Sequence, residues 1–204
     1  FFFQAEDGIR IKECDWSSDV CSSDLEYVEI SVVQHCDPVL VRDALVAMMP
    51  PGLDIVDVVT ANGGDLVARL EASVWQVELP MVEPARAQAA ADAFLASDRV
   101  EVERMAKSGL RRFDAREAVL SLVLETQNAL QTQDEPEVPG PCAILTVVIR
   151  HGTPTVRPDD VLAALCKVAD LELPVAPRIT RLSQGPLLDD GRSVGDPLAT
   201  DRSH

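Results

Sequence analysis

The stretches VWQVEL (residues 74–79) and CAILTVVIR (residues 142–150) decide the fold class of this chain. Both are short, apolar and rich in β-branched residues, which predicts two buried strands. Each is followed by a helical pattern that opens on a proline, Pro84 for the first and Pro158 for the second. Proline at the first helical turn sacrifices no hydrogen bond and presets the backbone for a helix. A strand followed by a helix therefore occurs twice.

Further strands complete the pattern. Residues 100–105 and 177–182 are predicted strands, and residues 118–125 (AVLSLVLE) are predicted to pair with residues 142–150 as a hairpin. The resulting order, strand, helix, strand, hairpin, helix, strand, is the connectivity of a ferredoxin-like α+β sandwich. We predict one complete unit of this kind.

The unit is expected to span residues 73–186. Its loop at residues 126–141 is long, polar and proline-bearing, so we expect it to be mobile. Residues 187–204 are rich in Asp, Gly, Pro and Ser, which predicts a disordered tail.

Residues 26–62 predict a smaller piece of the same architecture. EYVEISVV and LDIVDVVT (residues 26–33 and 53–60) have strand patterns, and Asp37-Pro38 opens a helix between them. Strand, helix, strand is only the second half of a ferredoxin-like unit, and such a remnant leaves an apolar sheet face uncovered. We therefore expect a truncated unit here.

Residues 1–25 have a different origin in our interpretation. QAEDGIR and DWSSDVCSSDL (residues 4–10 and 15–25) are the translations of common sequencing-library primers, in the order in which such primers occur. A signal peptide would need a basic start and an apolar stretch, which this segment lacks. We interpret it as an adapter-derived artefact without a fold.

Excluding this segment changes the charge and the cysteine inventory. Residues 1–25 hold 2 of the 18 basic and 6 of the 34 acidic residues, so the rest carries 16 basic and 28 acidic residues, a net charge of −12. Three cysteines remain, Cys36, Cys142 and Cys166, an odd number without paired spacing. This pattern favours a reducing, cytoplasmic location and neither a disulfide framework nor a zinc site.

Several function classes find no support in the sequence. No apolar run approaches the ~18 residues of a membrane span, so we expect no membrane partner. A net-negative body repels phosphates, which argues against non-specific nucleic-acid binding. No cysteines have the C-x3-C-x2-C spacing of a radical-SAM cluster, and no glycine loop for phosphate is present. His35 and His151 are interpreted as loop residues, and we expect no cofactor and no metal.

Several long blocks resemble one family. GLDIVDVV, LEASVWQVELP, VERMAKSGLRRFDAREAVLSL and CAILTVVIRHGTPTVRPDDVLAAL occur in this order, and the chain from residue 26 to residue 186 resembles the actinobacterial branch of the radical-SAM-linked protein family, a domain of unknown function. The resemblance implies a radical-SAM protein as partner, and about seventy further residues before Glu26 that carry the family's best candidates for chemistry. We therefore expect this chain to lack that half.

One stretch is basic within the acidic chain. Its members are predicted to form a basic turn between two strands, and they are Arg104, Lys107, Gly109, Arg111, Arg112 and Arg116. Guanidinium groups grip phosphates and carboxylates in a bidentate manner, so one hypothesis is a docking face for an anionic partner. The alternative is an exposed edge whose charges prevent pairing with other chains. Asp114 is predicted to be a structural partner of one of these arginines rather than a catalytic acid.

The sequence therefore favours a non-catalytic accessory or partner-binding module of a radical-SAM system, with a link to RNA or ribosome-related metabolism implied by the resemblance. One alternative is a small-molecule-binding regulatory domain on the same scaffold. Another is an RNA-acting enzyme whose catalytic residues lie in the missing half. Aromatic side chains on the sheet face would favour RNA stacking, and Trp75 and Phe113 are the candidates.

Overall fold

The computed structural model describes residues 10–11, 21–23, 26–50, 52–106, 109–125 and 140–202. Its strands are β1 (Arg10–Ile11), β2 (Cys21–Ser23), β3 (Ile30–Ser31), β4 (Ala72–Pro80), β5 (Glu101–Ala106), β6 (Gly109–Asp114), β7 (Val119–Leu124), β8 (Cys142–Arg150) and β9 (Arg178–Gly185). Its helices are α1 (Pro38–Met48), α2 (Leu66–Arg69), α3 (Pro84–Ala96), α4 (Pro158–Ala169) and α5 (Ala199–Arg202).

A five-stranded sheet in the order β2-β9-β4-β8-β7 forms the centre of the molecule. β4 pairs antiparallel with both β8 and β9, and β7 pairs antiparallel with β8. Val77 of β4 lies opposite Leu145 of β8, and both are buried, as are Leu79 and its partner Ala143. Alternate side chains of a strand point to the same face, so these pairs form the sheet half of one core.

The helices α3 and α4 supply the other half of the core. α3 starts at Pro84 and buries Ala87, Ala91 and Phe94. α4 starts at Pro158 and buries an apolar stripe that includes Leu165. The small alanines of α3 let the two helices approach each other and the sheet closely, and the core is mainly aliphatic.

The α+β class is confirmed. The predicted helices are present within one or two residues, and the predicted hairpin of residues 118–125 and 142–150 is β7 and β8. The ferredoxin-like assignment stays an interpretation, and the strand order β9-β4-β8-β7 is compatible with it. The strands β5 and β6 leave the central sheet and pair only with each other among the described strands.

The region before the sandwich differs from its prediction. Residues 53–60 form no strand, and of residues 26–33 only β3 is extended in a pair, with β1. Apolar alternation alone does not make a strand when no neighbouring strand is in place to accept its hydrogen bonds. The helix α1 forms as predicted, because the Asp37 carboxylate accepts a hydrogen bond from Val39 N at 2.9 Å.

The helix α1 buries none of its side chains. Apart from the exposed Arg42–Asp43 pair it is apolar, and Leu40 and Met48 are among its exposed residues. The predicted uncovered sheet face is not present among the described residues, and the exposed apolar side chains of residues 26–60 lie on a helix and an irregular chain instead.

The backbone of two short stretches within residues 1–25 is described. β2 lies parallel to β9 at the edge of the central sheet, with Cys21 opposite Ile179. An edge strand offers unpaired backbone groups to any extended segment, so this pairing does not require an evolved sequence. The adapter interpretation stays a prediction.

The tail also differs from its prediction. A bridge joins Leu187 to Val194, and the helix α5 follows it. The Asp201 carboxylate is buried and pairs with the Arg69 guanidinium, and it accepts a hydrogen bond from Asn62 N at 3.0 Å. Although its composition is typical of disorder, the tail is ordered here by turns and by one buried ion pair. Of the loop predicted to be mobile, residues 126–139 lie outside the described residues.

Candidate docking hairpin

The predicted basic turn lies on the two-stranded hairpin of β5 and β6, which we call the β5–β6 hairpin. Its register places Glu103 opposite Arg112, Arg104 opposite Arg111, and Met105 opposite Leu110. Gly109 opens β6 with a φ of +108°, a backbone conformation that other residues rarely adopt. The glycine of the predicted turn is thus required by the backbone, and Lys107 lies outside the described residues.

The end of the hairpin near the sandwich, which we call the root, is packed. Val102 and Phe113 lie opposite each other and are both buried in the core. Lys167 of α4 donates from Nζ to the carbonyl oxygen of Glu101 at 2.7 Å. The root is therefore held by apolar burial and by a contact with α4.

Arg104 belongs to this root rather than to an open face. Its guanidinium donates to Asp160 Oδ2 at 2.6 Å and to the carbonyl oxygen of Thr155 at 3.0 Å. It also lies over the Phe113 ring, 5.0 Å from its centroid. Burial raises the pKa of Asp160 above its ordinary value, although the backbone N–H of Arg157 and the Arg104 guanidinium act to lower it. Arg104 therefore braces the hairpin against the N-terminus of α4.

Arg116 is used in a similar way. Its guanidinium donates to the carbonyl oxygen of Val119 at 2.9 Å and lies 5.8 Å from the centroid of the Phe94 ring. Asp114 accepts hydrogen bonds from Arg116 N and Val100 N, both at 2.9 Å. Asp114 is thus a structural residue as predicted, but it contacts backbone N–H groups rather than a guanidinium.

Arg111 and Arg112 stay exposed at the other end of the hairpin. Arg112 Nε lies 2.7 Å from Glu103 Oε1, and both side chains are largely accessible to solvent. Successive residues of a strand point to opposite faces, so Arg111 lies on the face of Arg104, and Arg112 lies on the other.

The structure therefore corrects the geometry of the predicted site. A single positive face that contains Arg104, Arg111, Arg112 and Arg116 is not formed. Arg104 and Arg116 are drawn inward by Asp160 and by backbone carbonyls. Arg111 and Arg112 point to opposite faces because successive residues of a strand alternate between its two faces. The sequence contained the alternation of the strand residues but not the position of Asp160 relative to Arg104.

The two aromatic candidates for RNA stacking are packed inward. Phe113 is in the core, and Trp75 packs against the core with Arg181 over its ring, 5.3 Å from the centroid. Trp75 lies opposite Val147, which is buried, and therefore shares the face of the sheet that the helices cover. Neither ring is available on an open sheet face.

A contact between Ser73 and His151 was not predicted. His151 Nδ1 lies 2.6 Å from the carbonyl oxygen of Leu70, and Nε2 lies 2.5 Å from Ser73 Oγ. The carbonyl can only accept, so Nδ1 carries the proton and Ser73 donates to Nε2. Burial lowers the pKa of His151 below its ordinary value.

This pair resembles a nucleophile and its base, but Ser73 is only 1% exposed, so its hydroxyl is closed to a substrate. The contacts of His151 instead fasten the end of β8 to Ser73 in β4 and to Leu70 just before it. The two residues are 78 positions apart, and no sequence pattern connects them.

A polar cavity of about 310 Å³ lies between the N-terminal region and α5. Its lining includes Pro38, Thr60, Asn62 and Arg202. The Arg202 guanidinium pairs with Asp57 at 2.6 Å, which lowers the pKa of that carboxyl. The cavity is thus lined by charges that neutralise each other.

Within the described part of the chain, no three His, Cys, Asp or Glu side chains converge in a way that could hold a metal ion. None of the described helices has both the length and the apolar character that crossing a membrane demands.

Comparison with known proteins gives one family. Residues 20–158 match the family described as "uncharacterized protein conserved in bacteria (DUF2344)". The match covers more than half of the chain, which therefore belongs to this family. It begins at residue 20, so residues 20–25 fall both in the match and in the segment interpreted as adapter. No curated protein matches the chain. No solved structure matches it either.

Proposed function

We propose that this protein is a non-catalytic accessory module of a radical-SAM system, and that it docks an anionic partner surface through the outer half of the β5–β6 hairpin. One observation carries the docking site: the hairpin leaves the central sheet and holds Arg111 and Arg112 exposed beyond a packed root. The resemblance of the quoted sequence blocks to the radical-SAM-linked family supplies the partner, a radical-SAM protein.

The geometry suits a docking element. Val102, Phe113 and the Arg104–Asp160 pair fix the root, so the outer half keeps one orientation relative to the sandwich. A preorganised element loses little conformational entropy when it binds. Arg111 and Arg112 point to opposite faces, which suits a hairpin that enters a cleft and meets acidic groups on both walls.

The use of polar groups in the described part of the chain supports the proposed accessory role. The Ser73 hydroxyl is buried against His151, and Asp160 and Asp201 are each paired with an arginine. Perturbed groups at catalytic sites normally face a cleft. In this protein they hold elements of the fold together.

A small-molecule-binding regulatory domain is the second candidate. The cavity of about 310 Å³ beside Asn62 and Arg202 favours it, because this volume suits a small polar ligand. Arg202 would have to exchange Asp57 for the ligand, which makes this candidate the weaker one.

The test measures binding to the purified radical-SAM protein of the same genome. Arg111→Glu with Arg112→Glu should abolish binding, and the wild-type affinity should fall as salt is raised, because exposed charge contacts are screened. The control, Arg86→Glu with Arg192→Glu, makes the same change of net charge at two other exposed positions and should bind normally. Wild-type binding by the hairpin variant would contradict the proposal.

A further inference from the structure

The hairpin carries an apolar pair at its outer end. Met105 and Leu110 lie directly opposite each other, and they are 75% and 52% exposed. Residues that face each other in an antiparallel pair lie on one side of the ribbon and are close enough to touch. The two side chains therefore form one apolar patch on the side of the hairpin that also carries Glu103 and Arg112.

This patch contributes little to the fold. The opposite side of the hairpin holds the buried root residues Val102 and Phe113, whereas Met105 and Leu110 extend beyond them into solvent. A methionine and a leucine gain most from burial among apolar groups, and methionine adapts to irregular pockets. Next to exposed charges, such a pair is typical of a protein contact surface.

The charges around the patch specify the partner's rim. From Arg104 to Arg112 the chain has no acidic residue, and Arg111 and Arg112 follow directly on Leu110. Glu103 pairs with Arg112 in an exposed salt bridge, which a partner carboxylate can replace at little cost. A complementary surface therefore has an apolar pocket with acidic residues around it.

The same observations favour a protein over RNA. The whole chain carries a net charge of −16, which repels a phosphate backbone. The aromatic rings of Trp75 and Phe113, the candidates for base stacking, are packed against the core. The side chains at the outer end are aliphatic, and the affinity that they give does not depend on salt.

We infer that Met105 and Leu110 are the anchor of the docking hairpin, and that they insert into an apolar pocket with an acidic rim on a partner protein. The inference rests on the proposed function, and it divides the roles within that site. The apolar pair supplies most of the affinity, and the arginines Arg111 and Arg112 orient the approach and raise the rate of association.

The experiment compares four proteins for binding to the purified radical-SAM partner, at low and at high salt. Met105→Ser with Leu110→Ser should weaken binding by about a hundredfold at both salt concentrations, as loss of an interface anchor does. Val175→Ser with Leu188→Ser removes two comparably exposed apolar side chains elsewhere and should bind like the wild type. Met105→Leu with Leu110→Met keeps the apolar character and should retain binding, which separates lost anchoring from a disturbed hairpin.

The outcomes separate the two proposals. Wild-type binding by the serine variant, together with lost binding by Arg111→Glu with Arg112→Glu, would overturn the inference and leave the proposed function standing. Wild-type binding by both variants would overturn both. Tight binding of a fluorescent RNA duplex or single strand, weakened by the arginine changes and unaffected by the serine changes, would also overturn the inference.

Discussion

The root and the outer half of the β5–β6 hairpin use the same residue types in opposite ways. At the root, Arg104 is paired with Asp160 beside the buried Phe113, and its charge holds two elements together. In the outer half, Arg112 forms only an exposed salt bridge, and Leu110 is accessible to solvent. Within this basic stretch, some arginines therefore stabilise the fold and others lie exposed on the surface.

The division has a simple structural origin. Arg104 and Arg111 lie opposite each other, and the Arg104 guanidinium pairs with Asp160 at the N-terminus of α4. Arg112 is one residue along and therefore faces the other way. Proximity to a buried carboxylate, rather than residue type, decides which arginine is structural.

The largest difference between root and outer half should appear when their apolar residues are removed. Phe113→Ala leaves a cavity in the core and should lower the free energy of unfolding by about 3–5 kcal/mol. Leu110→Ala removes an exposed side chain and should change it by less than about 0.5 kcal/mol. Urea unfolding of the two variants measures both values, and equal losses would show that the outer half is packed too.

The next largest difference in stability is expected between the loss of the root carboxylate, Asp160, and the loss of the outer carboxylate, Glu103. Asp160→Ala leaves Arg104 without its partner in a partly buried position, and removes the acceptor of Arg157 N, so we expect a loss of about 2–3 kcal/mol. Glu103→Ala breaks the exposed pair with Arg112 and should cost at most about 1 kcal/mol. A loss at Glu103 as large as that at Asp160 would make the outer pair structural.

A smaller effect on stability is expected when the pH is lowered, and it should come from His151 at the end of β8. The pKa of His151 lies below its ordinary value of 6.5 in the folded protein, so the unfolded chain binds the proton more readily. The stability from this group is present above about pH 6.5 and is lost as the pH falls through the folded pKa.

The urea midpoint of the wild type should therefore fall more between pH 7.5 and pH 5 than that of His151→Gln. None of the groups whose pKa is shifted lies in the outer half of the hairpin, so we expect no comparable pH effect on stability from that region. Parallel pH profiles for the wild type and the variant would contradict a His151 that is held neutral between Ser73 and the Leu70 carbonyl.

The sequence predicted the elements that depend on local chemistry. α3 and α4 begin at Pro84 and Pro158, and the hairpin of β7 and β8 follows from two apolar stretches. It also located the basic stretch around β5 and β6, although it grouped the inward Arg104 and Arg116 with the exposed Arg111 and Arg112. These features follow from proline geometry, from side-chain periodicity and from backbone turns, which neighbouring residues determine.

The errors concern contacts between distant residues. Residues 53–60 have a strand pattern but no partner strand among the described residues, and the tail is ordered by Asp201, which pairs with Arg69, 132 positions earlier in the chain. The Ser73–His151 contact and the inward turn of Arg104 have the same cause. The spatial arrangement of β9, β4, β8 and α4 brings these side chains together. That arrangement cannot be derived from the pattern of a single sequence.

The most direct test of the division within the hairpin compares two pairs of arginines that lie within a dozen residues of each other. Arg104→Met with Arg116→Met removes both inward guanidiniums, whereas Arg111→Met with Arg112→Met removes both exposed ones, and each keeps the length of the side chains. Urea unfolding should show a loss of several kcal/mol, on the order of 3–5, for the first pair and at most about 1 kcal/mol for the second. Equal losses for the two pairs would contradict the account, because Arg111 and Arg112 would then be needed for the fold and could not be reserved for a partner.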